Sequence, residues 1–328
     1  MLNDTYHRTI DYLRISVTDR CNLRCVYCMP EEGVPSCSHD DILRYEEIER
    51  VVHAAAALGI RKLRLTGGEP LVRLGIVDLV RTLARIPGIE DIAMTTNGIL
   101  LSRYAAPLAE AGLRRVNVSL DTLRPERFRA ITRWGDLDTV LDGIAAAFAA
   151  GLEPVKINTV VMRGQNDDEM VDLARKTLEA RWHVRFIEWM PVGEAAREQD
   201  WRARVVAAAE IRTQIEAELG PLTPAGVDGA GPARTYKLPD AAGTLGFISA
   251  VSEHFCASCN RLRLTADGKL RPCLLAADEL DLRTPLRQGA GEAEIQTLLL
   301  EAVRAKPRGH HLADDAWVQD RAMAQIGG

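Results

Sequence analysis

Two hydrophobic periodicities alternate along the chain from residue 12 to about residue 190. Short runs rich in β-branched residues predict strands, and apolar residues spaced three and four apart predict amphipathic helices. The predicted strands are 12–17, 62–67, 91–97, 115–121, 155–162 and 183–190. Between them we predict helices at 44–59, 76–86, 102–112, 137–151 and 167–180. This alternation is typical of a parallel sheet, so the chain is expected to be α/β, with an incomplete (βα)6 barrel of the TIM type.

The pattern changes after residue 191. A last helical pattern ends near Leu219, and the Gly/Pro-rich segment 220–232 predicts a loop or linker. Short β-like runs and a helix near 292–306 follow, as in a small α+β domain. We therefore expect a barrel domain at 1–222 and a C-terminal domain at 223–328 that covers the lateral opening of the partial barrel.

Charge and composition exclude several classes of partner. The chain has 328 residues, with 41 Lys and Arg against 46 Asp and Glu, and a net charge of −5. A mildly acidic protein is not built to coat nucleic acid or a membrane surface. The N-terminus lacks an apolar signal core, and no run approaches the roughly 18 apolar residues that span a bilayer. A cytoplasmic protein without a nucleic-acid or membrane partner is expected.

Cysteine positions carry the first chemical signal. Six of the seven cysteines fall in two triplets, and Cys37 stands apart as a spare thiol. The first triplet, Cys21, Cys25 and Cys28, directly follows the first predicted strand, at the end where barrel enzymes place their chemistry. A structural zinc site needs a fourth ligand, and the nearest histidine, His39, lies in an unpatterned loop. Three thiolates can hold an iron–sulfur cube and leave one iron for a non-protein ligand.

The second triplet is more ambiguous. Cys256 and Cys259 form a CxxC knuckle, and Cys273 follows after thirteen residues. With His254 the set could also be a Cys3His zinc site. A cluster is favoured because the chain already carries one cluster motif and because the C-terminal domain would place this triplet opposite the first.

Basic residues recur on the predicted strands, where a charge is costly unless it meets solvent or an anion. Arg14, Arg64 and Arg185 lie on barrel strands, and Arg261 and Arg263 alternate after the second triplet. Arginine forks suit phosphate oxygens, so an inward-facing set predicts a polyphosphate ligand. The alternative is that these side chains face outward between the helices.

The CxxxCxxC motif, with Tyr27 before its last cysteine, resembles that of the radical S-adenosylmethionine enzymes. This resemblance implies that the open iron of the first 4Fe-4S cluster chelates S-adenosylmethionine, whose reductive cleavage yields a 5′-deoxyadenosyl radical. It also implies contacts to S-adenosylmethionine from four residues. These are Tyr27, Gly68 in LTGGEPL, Ser119 in NVSLD, and Met190.

The whole pattern resembles the GTP 3′,8-cyclase family of molybdenum cofactor biosynthesis. The motifs LRISVTDRCNLRCVYCMP, RLTGGEPLVR, TTNG, VNVSLDTL, VKINTVVMRG, VRFIEWMPVG and CASCNRLRLTADGKLRPCL match in order, as does the terminal Gly327-Gly328. The resemblance implies a second 4Fe-4S cluster on Cys256, Cys259 and Cys273, whose open iron meets the guanine of GTP. It implies these GTP contacts: Arg14, Lys62, Arg64, Thr95, Lys156, Arg185, Arg261, Leu262 and Arg263. Catalytic roles are implied for Arg14, Arg261, Arg263 and the diglycine tail.

The resemblance further implies a homodimer, an electron donor, and delivery of the product to cyclic pyranopterin monophosphate synthase. Two other readings stay open at this point. One is a radical S-adenosylmethionine peptide maturase with an auxiliary cluster. The other is a non-enzymatic iron–sulfur or zinc binding protein.

Overall fold

The computed structural model describes residues 2–35, 37–192, 200–226, 231–310, 312 and 321–327. The strands are β1 (Tyr12–Ser16), β2 (Lys62–Thr66), β3 (Asp91–Thr96), β4 (Arg115–Ser119), β5 (Lys156–Val161), β6 (His183–Glu188), β7 (Thr223–Pro224), β8 (Arg234–Lys237), β9 (Thr244–Ile248), β10 (Arg261–Leu264), β11 (Lys269–Arg271) and β12 (Leu280–Asp281). The helices are α1 (Tyr45–Leu58), α2 (Ile76–Leu83), α3 (Leu101–Ala111), α4 (Pro125–Thr132), α5 (Leu137–Ala149), α6 (Met170–Glu179), α7 (Ala208–Leu219), α8 (Arg283–Arg287), α9 (Glu292–Arg304) and α10 (Met323–Ile326).

The six predicted βα units are confirmed. Strands β1 to β6 lie side by side in chain order and pair in parallel throughout. Their carboxyl ends therefore meet at one edge, as in barrel enzymes. Helices α1 and α3 both end at a glycine. Gly59 and Gly112 adopt left-handed backbone angles that return their amides to the last helical carbonyls.

The C-terminal strands do not form a separate sheet. Strand β10 pairs in parallel with β1, and β9 pairs in parallel with β6. The hairpin partners β11–β12 and β7–β8 then continue outward in antiparallel fashion, giving a 12-stranded sheet in the described part of the chain. The C-terminal region thus extends both edges of the partial barrel, and the domain boundary at residue 222 stays a prediction.

Short elements escaped the sequence analysis. Helices α4, α8 and α10 and strands β7, β11 and β12 span two to eight residues each. Apart from α4, which is as long as the predicted α2, these segments are too short to show a hydrophobic period. No helix in the described ranges is long and apolar enough to cross a bilayer.

Candidate active site

A cavity of about 290 Å³ lies at the carboxyl ends of the barrel strands. All six cysteines of the two triplets line it. So do most of the other predicted site residues: Arg14, Tyr27, Arg64, Gly68, Thr95, Ser119, Arg185, Met190, Arg261 and Arg263. The predicted site residues of the barrel and of the C-terminal region therefore converge on one chamber.

The loop that carries the first triplet is braced by the glycine turn after β2. The Gly68 amide donates to the Thr18 carbonyl at 2.8 Å, and the Glu69 amide donates to the Arg20 carbonyl at 2.8 Å. A Cβ on Gly68 would lie only 2.4 Å from that Arg20 carbonyl oxygen. The turn needs glycine to approach the cysteine loop this closely.

Glu69 fastens the same turn to the next strand. Its buried carboxylate accepts hydrogen bonds from the Leu71 amide at 3.0 Å, the Thr96 hydroxyl at 2.8 Å and the Asn97 amide at 2.6 Å. Burial nevertheless raises the pKa of Glu69 to about 7. Asn97, held in this way, donates from its side chain toward the Cys21 sulfur at 3.7 Å. The sequence analysis quoted both motifs without assigning either residue.

The thiols of the first triplet lie where burial disfavours their charged form. Burial raises the pKa of Cys21 to about 11 and that of Cys28 to about 12. For Cys25 burial and the neighbouring Cys28 raise the pKa well above its usual value. Three thiolates become stable here only with a metal group to neutralise them, so the donor set fits an iron–sulfur cluster.

Tyr27, Ser119 and Met190 lie around the first triplet on the cavity wall. The Tyr27 hydroxyl donates to Asp121 at 2.8 Å, and burial raises the pKa of that carboxyl to about 6. Ser119 is in register with Asn158 on the neighbouring strand β5.

The second triplet is surrounded by cations. Burial alone would raise the pKa of Cys259, but the charges of Arg261 and Lys306 outweigh it and lower that pKa to about 6. An Arg261 N–H lies 3.6 Å from the Cys259 sulfur. The Lys306 ammonium is held by the Arg261 and Pro272 carbonyls at 2.8 Å each. A thiolate is thus stabilised at this site, which suits a metal ligand.

Neither triplet forms a ready single-ion site. Within the described ranges, no three or more His, Cys, Asp or Glu side chains are arranged to hold one metal ion. The two histidine rings beside the second triplet, His254 and His310, stack edge to face with centroids 5.1 Å apart. Metal analysis distinguishes a cluster from a zinc ion at the second triplet.

Three guanidinium groups form a row across the barrel floor. Sheet register places Arg263 beside Arg14, and Arg14 beside Arg64, on the adjacent strands β10, β1 and β2. Burial lowers the pKa of Arg14 well below its usual value, and the charge of Arg263 lowers it further. Burial and the charge of Arg261 lower the pKa of Arg263 to about 10. Neighbouring cations in a buried chamber favour the binding of an anion.

Three other predicted GTP contacts do not lie on the cavity wall. The Lys62 ammonium pairs with Asp11 at 2.7 Å, and Leu262 is buried in the core. Lys156 is fully buried, and burial and the charge of Arg185 lower its pKa to about 6. The roles proposed for these three residues stay predictions.

The C-terminal tail enters the chamber from the C-terminal region. The Gly327 carbonyl accepts hydrogen bonds from Arg263 at 2.7 Å and from Arg14 at 3.4 Å. Gly327 has φ +71°, and a Cβ there would lie 2.6 Å from the Thr66 hydroxyl. Gly328 lies outside the described residues.

Several cavity residues were not predicted. Asn117 and Asn158 line the cavity, and their buried amide oxygens have no hydrogen-bond partner among the described residues. Glu188 lines it too and accepts from the Ala208, Val251 and Ser252 amides at 2.8–2.9 Å. These three polar residues lie at the ends or on the inward face of barrel strands, and that position could have identified them from the sequence.

Family models match most of the chain in two parts. Residues 15–177 match the model described as "Radical SAM superfamily", and residues 182–312 match "Molybdenum Cofactor Synthesis C".

A curated protein of Pelotomaculum thermopropionicum named GTP 3′,8-cyclase is 59% identical over 329 residues, covering 100% of both chains. The chain belongs to the GTP 3′,8-cyclase family. GTP 3′,8-cyclases of Heliobacterium modesticaldum and Moorella thermoacetica are 56% and 54% identical, over 99% and 100% of both chains. Membership in the GTP 3′,8-cyclase family makes the chain a radical S-adenosylmethionine enzyme, with a 4Fe-4S cluster and S-adenosylmethionine as cofactors.

Solved structures confirm the fold. The structure described as Streptococcus suis SuiB bound to S-adenosylmethionine matches with a TM-score of 0.60 at 15% identity, covering 91% of this chain. The present chain spans 64% of that longer chain. Native anSMEcpe with bound AdoMet matches with a TM-score of 0.57 at 17% identity, covering 92% of this chain and 82% of that one.

Proposed function

We propose that this chain converts GTP to (8S)-3′,8-cyclo-7,8-dihydroguanosine 5′-triphosphate, the first step of molybdenum cofactor biosynthesis. The observation that carries the proposal is the single cavity, which has one cysteine triplet from the barrel, one from the C-terminal region and a row of buried arginines. A nucleoside triphosphate has a polyanionic end for the arginines and a base for the second triplet. A peptide does not in general combine a polyanionic end with a nucleobase.

The arginine row would bind the triphosphate. Arg14, Arg64 and Arg263 repel one another when the cavity holds no anion, and phosphate oxygens would remove that repulsion. Arg185 on β6 adds a further positive charge, and Lys156 on β5 would regain its charge when the anion binds. Thr95 receives an Arg64 N–H at 3.4 Å, which places its hydroxyl beside the same anion. The amide oxygens of Asn117 and Asn158 are free to accept from ribose hydroxyls.

Cys21, Cys25 and Cys28 would hold the first cluster, with Tyr27, Gly68, Ser119 and Met190 around S-adenosylmethionine. When bound, this pair would supply a 5′-deoxyadenosyl radical able to take the 3′ hydrogen of the GTP ribose. The task of the chain is to hold that ribose carbon against the radical source and to exclude other hydrogen donors. Trp189, which lines the cavity and is 2% exposed, helps to seal it.

Cys256, Cys259 and Cys273 would hold a second 4Fe-4S cluster that receives the guanine base. The cationic surroundings of Cys259 support a thiolate ligand there. Anaerobic metal analysis tests this assignment. About eight iron atoms per chain are expected for two cubes. A result of about four iron and one zinc would instead favour the Cys3His alternative at the second triplet.

Gly327 and Gly328 would complete the GTP site. The Gly327 carbonyl accepts hydrogen bonds from Arg263 and Arg14, so the tail can hold the two guanidinium groups in an orientation that contacts the substrate. A homodimer, an external electron donor and transfer of the product to cyclic pyranopterin monophosphate synthase complete the proposal. Light scattering of the purified protein checks the dimer.

The decisive experiment incubates reduced protein with S-adenosylmethionine and GTP without oxygen. Cyclised dihydroguanosine triphosphate and 5′-deoxyadenosine are expected together, measured by mass spectrometry. Deleting Gly327 and Gly328 should abolish the cyclic product and leave the iron content unchanged. Formation of 5′-deoxyadenosine only when a peptide replaces GTP would contradict the proposal.

A further inference from the structure

Arg321 connects the C-terminal tail to the strand hairpin that carries Arg263. Its guanidinium donates to both carboxylate oxygens of Asp267, at 3.0 and 2.9 Å, and to Glu279 at 2.8 Å. All three side chains are mostly buried, with 14–19% of their surface exposed. Fork geometry of this kind fixes direction as well as distance.

The two partners of Arg321 belong to the hairpin around β10, β11 and β12. Asp267 lies in the turn between β10 and β11, and Glu279 immediately precedes β12. Glu279 also pairs with Arg271, which is directly opposite Arg263 in the β10–β11 register. The two carboxylates that bind Arg321 therefore belong to the same hairpin as Arg263, which is proposed to face the substrate.

The far end of the tail returns to this hairpin. Gly327 lies six residues after Arg321, and its carbonyl accepts from Arg263 on β10 at 2.7 Å. Between these two points, Ile326 packs with Val192, Leu275 and Leu312. The Ala324 backbone lies beside the Cys28 thiol of the first triplet. Arg321 and Gly327 thus attach opposite ends of one short segment to one hairpin.

We propose that Arg321 is a positioning residue for the cyclisation: its clamp on Asp267 and Glu279 places the Gly327 carbonyl against Arg263 and Arg14. The inference rests on the proposed role of the diglycine tail. Without the clamp, the tail would be held by the apolar contact of Ile326 and by the hydrogen bonds of the Gly327 carbonyl, and rotation of the segment would move that carbonyl away from the guanidinium groups. A misplacement of about 1 Å can lower a rate about 100-fold.

The test uses the reconstituted full-length protein and the variants Arg321→Ala and Arg321→Lys. In Arg321→Ala, hydrogen exchange of the amides of residues 324–327 should be about tenfold faster, as expected for loss of charged hydrogen bonds. The rate of cyclic product formation should fall about 100-fold at saturating GTP, with the iron content unchanged. Arg321→Lys, which keeps the charge but loses the fork, should lie between this variant and the parent.

Arg163→Ala is the matched control. The Arg163 guanidinium also donates to both oxygens of one carboxylate, that of Glu210, at 3.1 and 2.7 Å. Arg163 follows β5 and Glu210 lies in α7, so neither belongs to the tail or to its hairpin. Removal of the Arg163 side chain should leave both tail exchange and product formation unchanged.

The outcomes separate this inference from the proposed function. Unchanged tail exchange in Arg321→Ala overturns the clamp, as does faster exchange with full activity while the diglycine deletion is inactive. Full activity of the diglycine deletion refutes the role of the tail, and with it the clamp. If Arg321→Ala does not fold, Asp267→Asn and Arg321→Lys are measured against the same outcomes.

Discussion

At the scale of single residues, burial and neighbouring cations lower the pKa values of several basic side chains of the barrel. Lys156 shows this most clearly, because burial first and the charges of Arg185, Arg115 and Arg64 next lower its pKa to about 6. Its charged form is thus disfavoured in the free protein at neutral pH. An anion bound above it would favour that form again, so ligand binding and proton binding are coupled.

We predict that GTP binding takes up a proton through Lys156. Since the pKa of Lys156 is about 6 in the free protein and rises in the complex, affinity should fall as pH rises from 7.5 to 8.5, by up to about tenfold per pH unit. Calorimetry in two buffers of different ionisation enthalpy measures the uptake. Lys156→Met should abolish both effects, and an unchanged pH slope in that variant would contradict the prediction.

At the scale of elements, the glycine turn after β2 determines the shape of the loop that carries the first triplet. Gly67 and Gly68 pack against the backbone of residues 18–20, directly before Cys21. The sequence analysis assigned Gly68 to S-adenosylmethionine. The structure adds a packing reason that holds whether or not the cofactor is bound.

Gly68→Ala is predicted to destabilise the fold by about 1–3 kcal/mol, the usual cost of overpacking a tight contact. The new Cβ would overlap the Arg20 carbonyl, so the cysteine loop must move and iron at the first triplet should be lost. Chemical denaturation and iron content measure the two effects. Gly164→Ala is a control because a Cβ there meets nothing within 4 Å, although its positive φ adds some strain. Equal iron content in Gly68→Ala and the parent would show that the loop tolerates the methyl group.

At the scale of secondary-structure elements, the longer strands and helices could be predicted from the sequence. The six barrel strands and their main helices span five to fourteen residues, enough to show a period of two or of 3.6. The loop of the first triplet could be placed at a strand end because CxxxCxxC follows β1 directly. The tail helix α10, with four residues, gives no such signal.

At the scale of the whole molecule, an arginine near the N-terminus joins the loop of the second triplet to the segment that follows α9. Arg8 is buried and donates to the Cys256 carbonyl at 2.8 Å and to the Pro307 carbonyl at 2.7 Å. Asp4 pairs with its guanidinium at 2.5 Å. Residues far apart in sequence thus fix the loop that begins the CxxC knuckle.

Arg8→Gln should loosen this loop and leave Asp4 buried without its counter-ion, at a cost of about 3–5 kcal/mol. Iron is expected to fall from about eight toward about four atoms per chain, because the hydrogen bonds of Arg8 among the described residues reach the loop of the second triplet and not that of the first. Thermal unfolding and metal analysis check this result. Arg61→Gln, which breaks an exposed pair with Glu90, is the control. Loss of all iron in Arg8→Gln would mean that the damage is global.

The sequence by itself determined the parallel barrel, both cysteine triplets and the family, because periodicity and ligand spacing are local properties of the chain. Tertiary structure alone decided that β9 and β10 extend the two edges of the barrel and that Arg263, Arg14 and Arg64 form one row. It also decided which basic residues reach the cavity: Lys62 already pairs with Asp11, whereas Arg263 meets Gly327. Strand register and long-range pairing set these contacts, and neither is encoded in the spacing of any single motif.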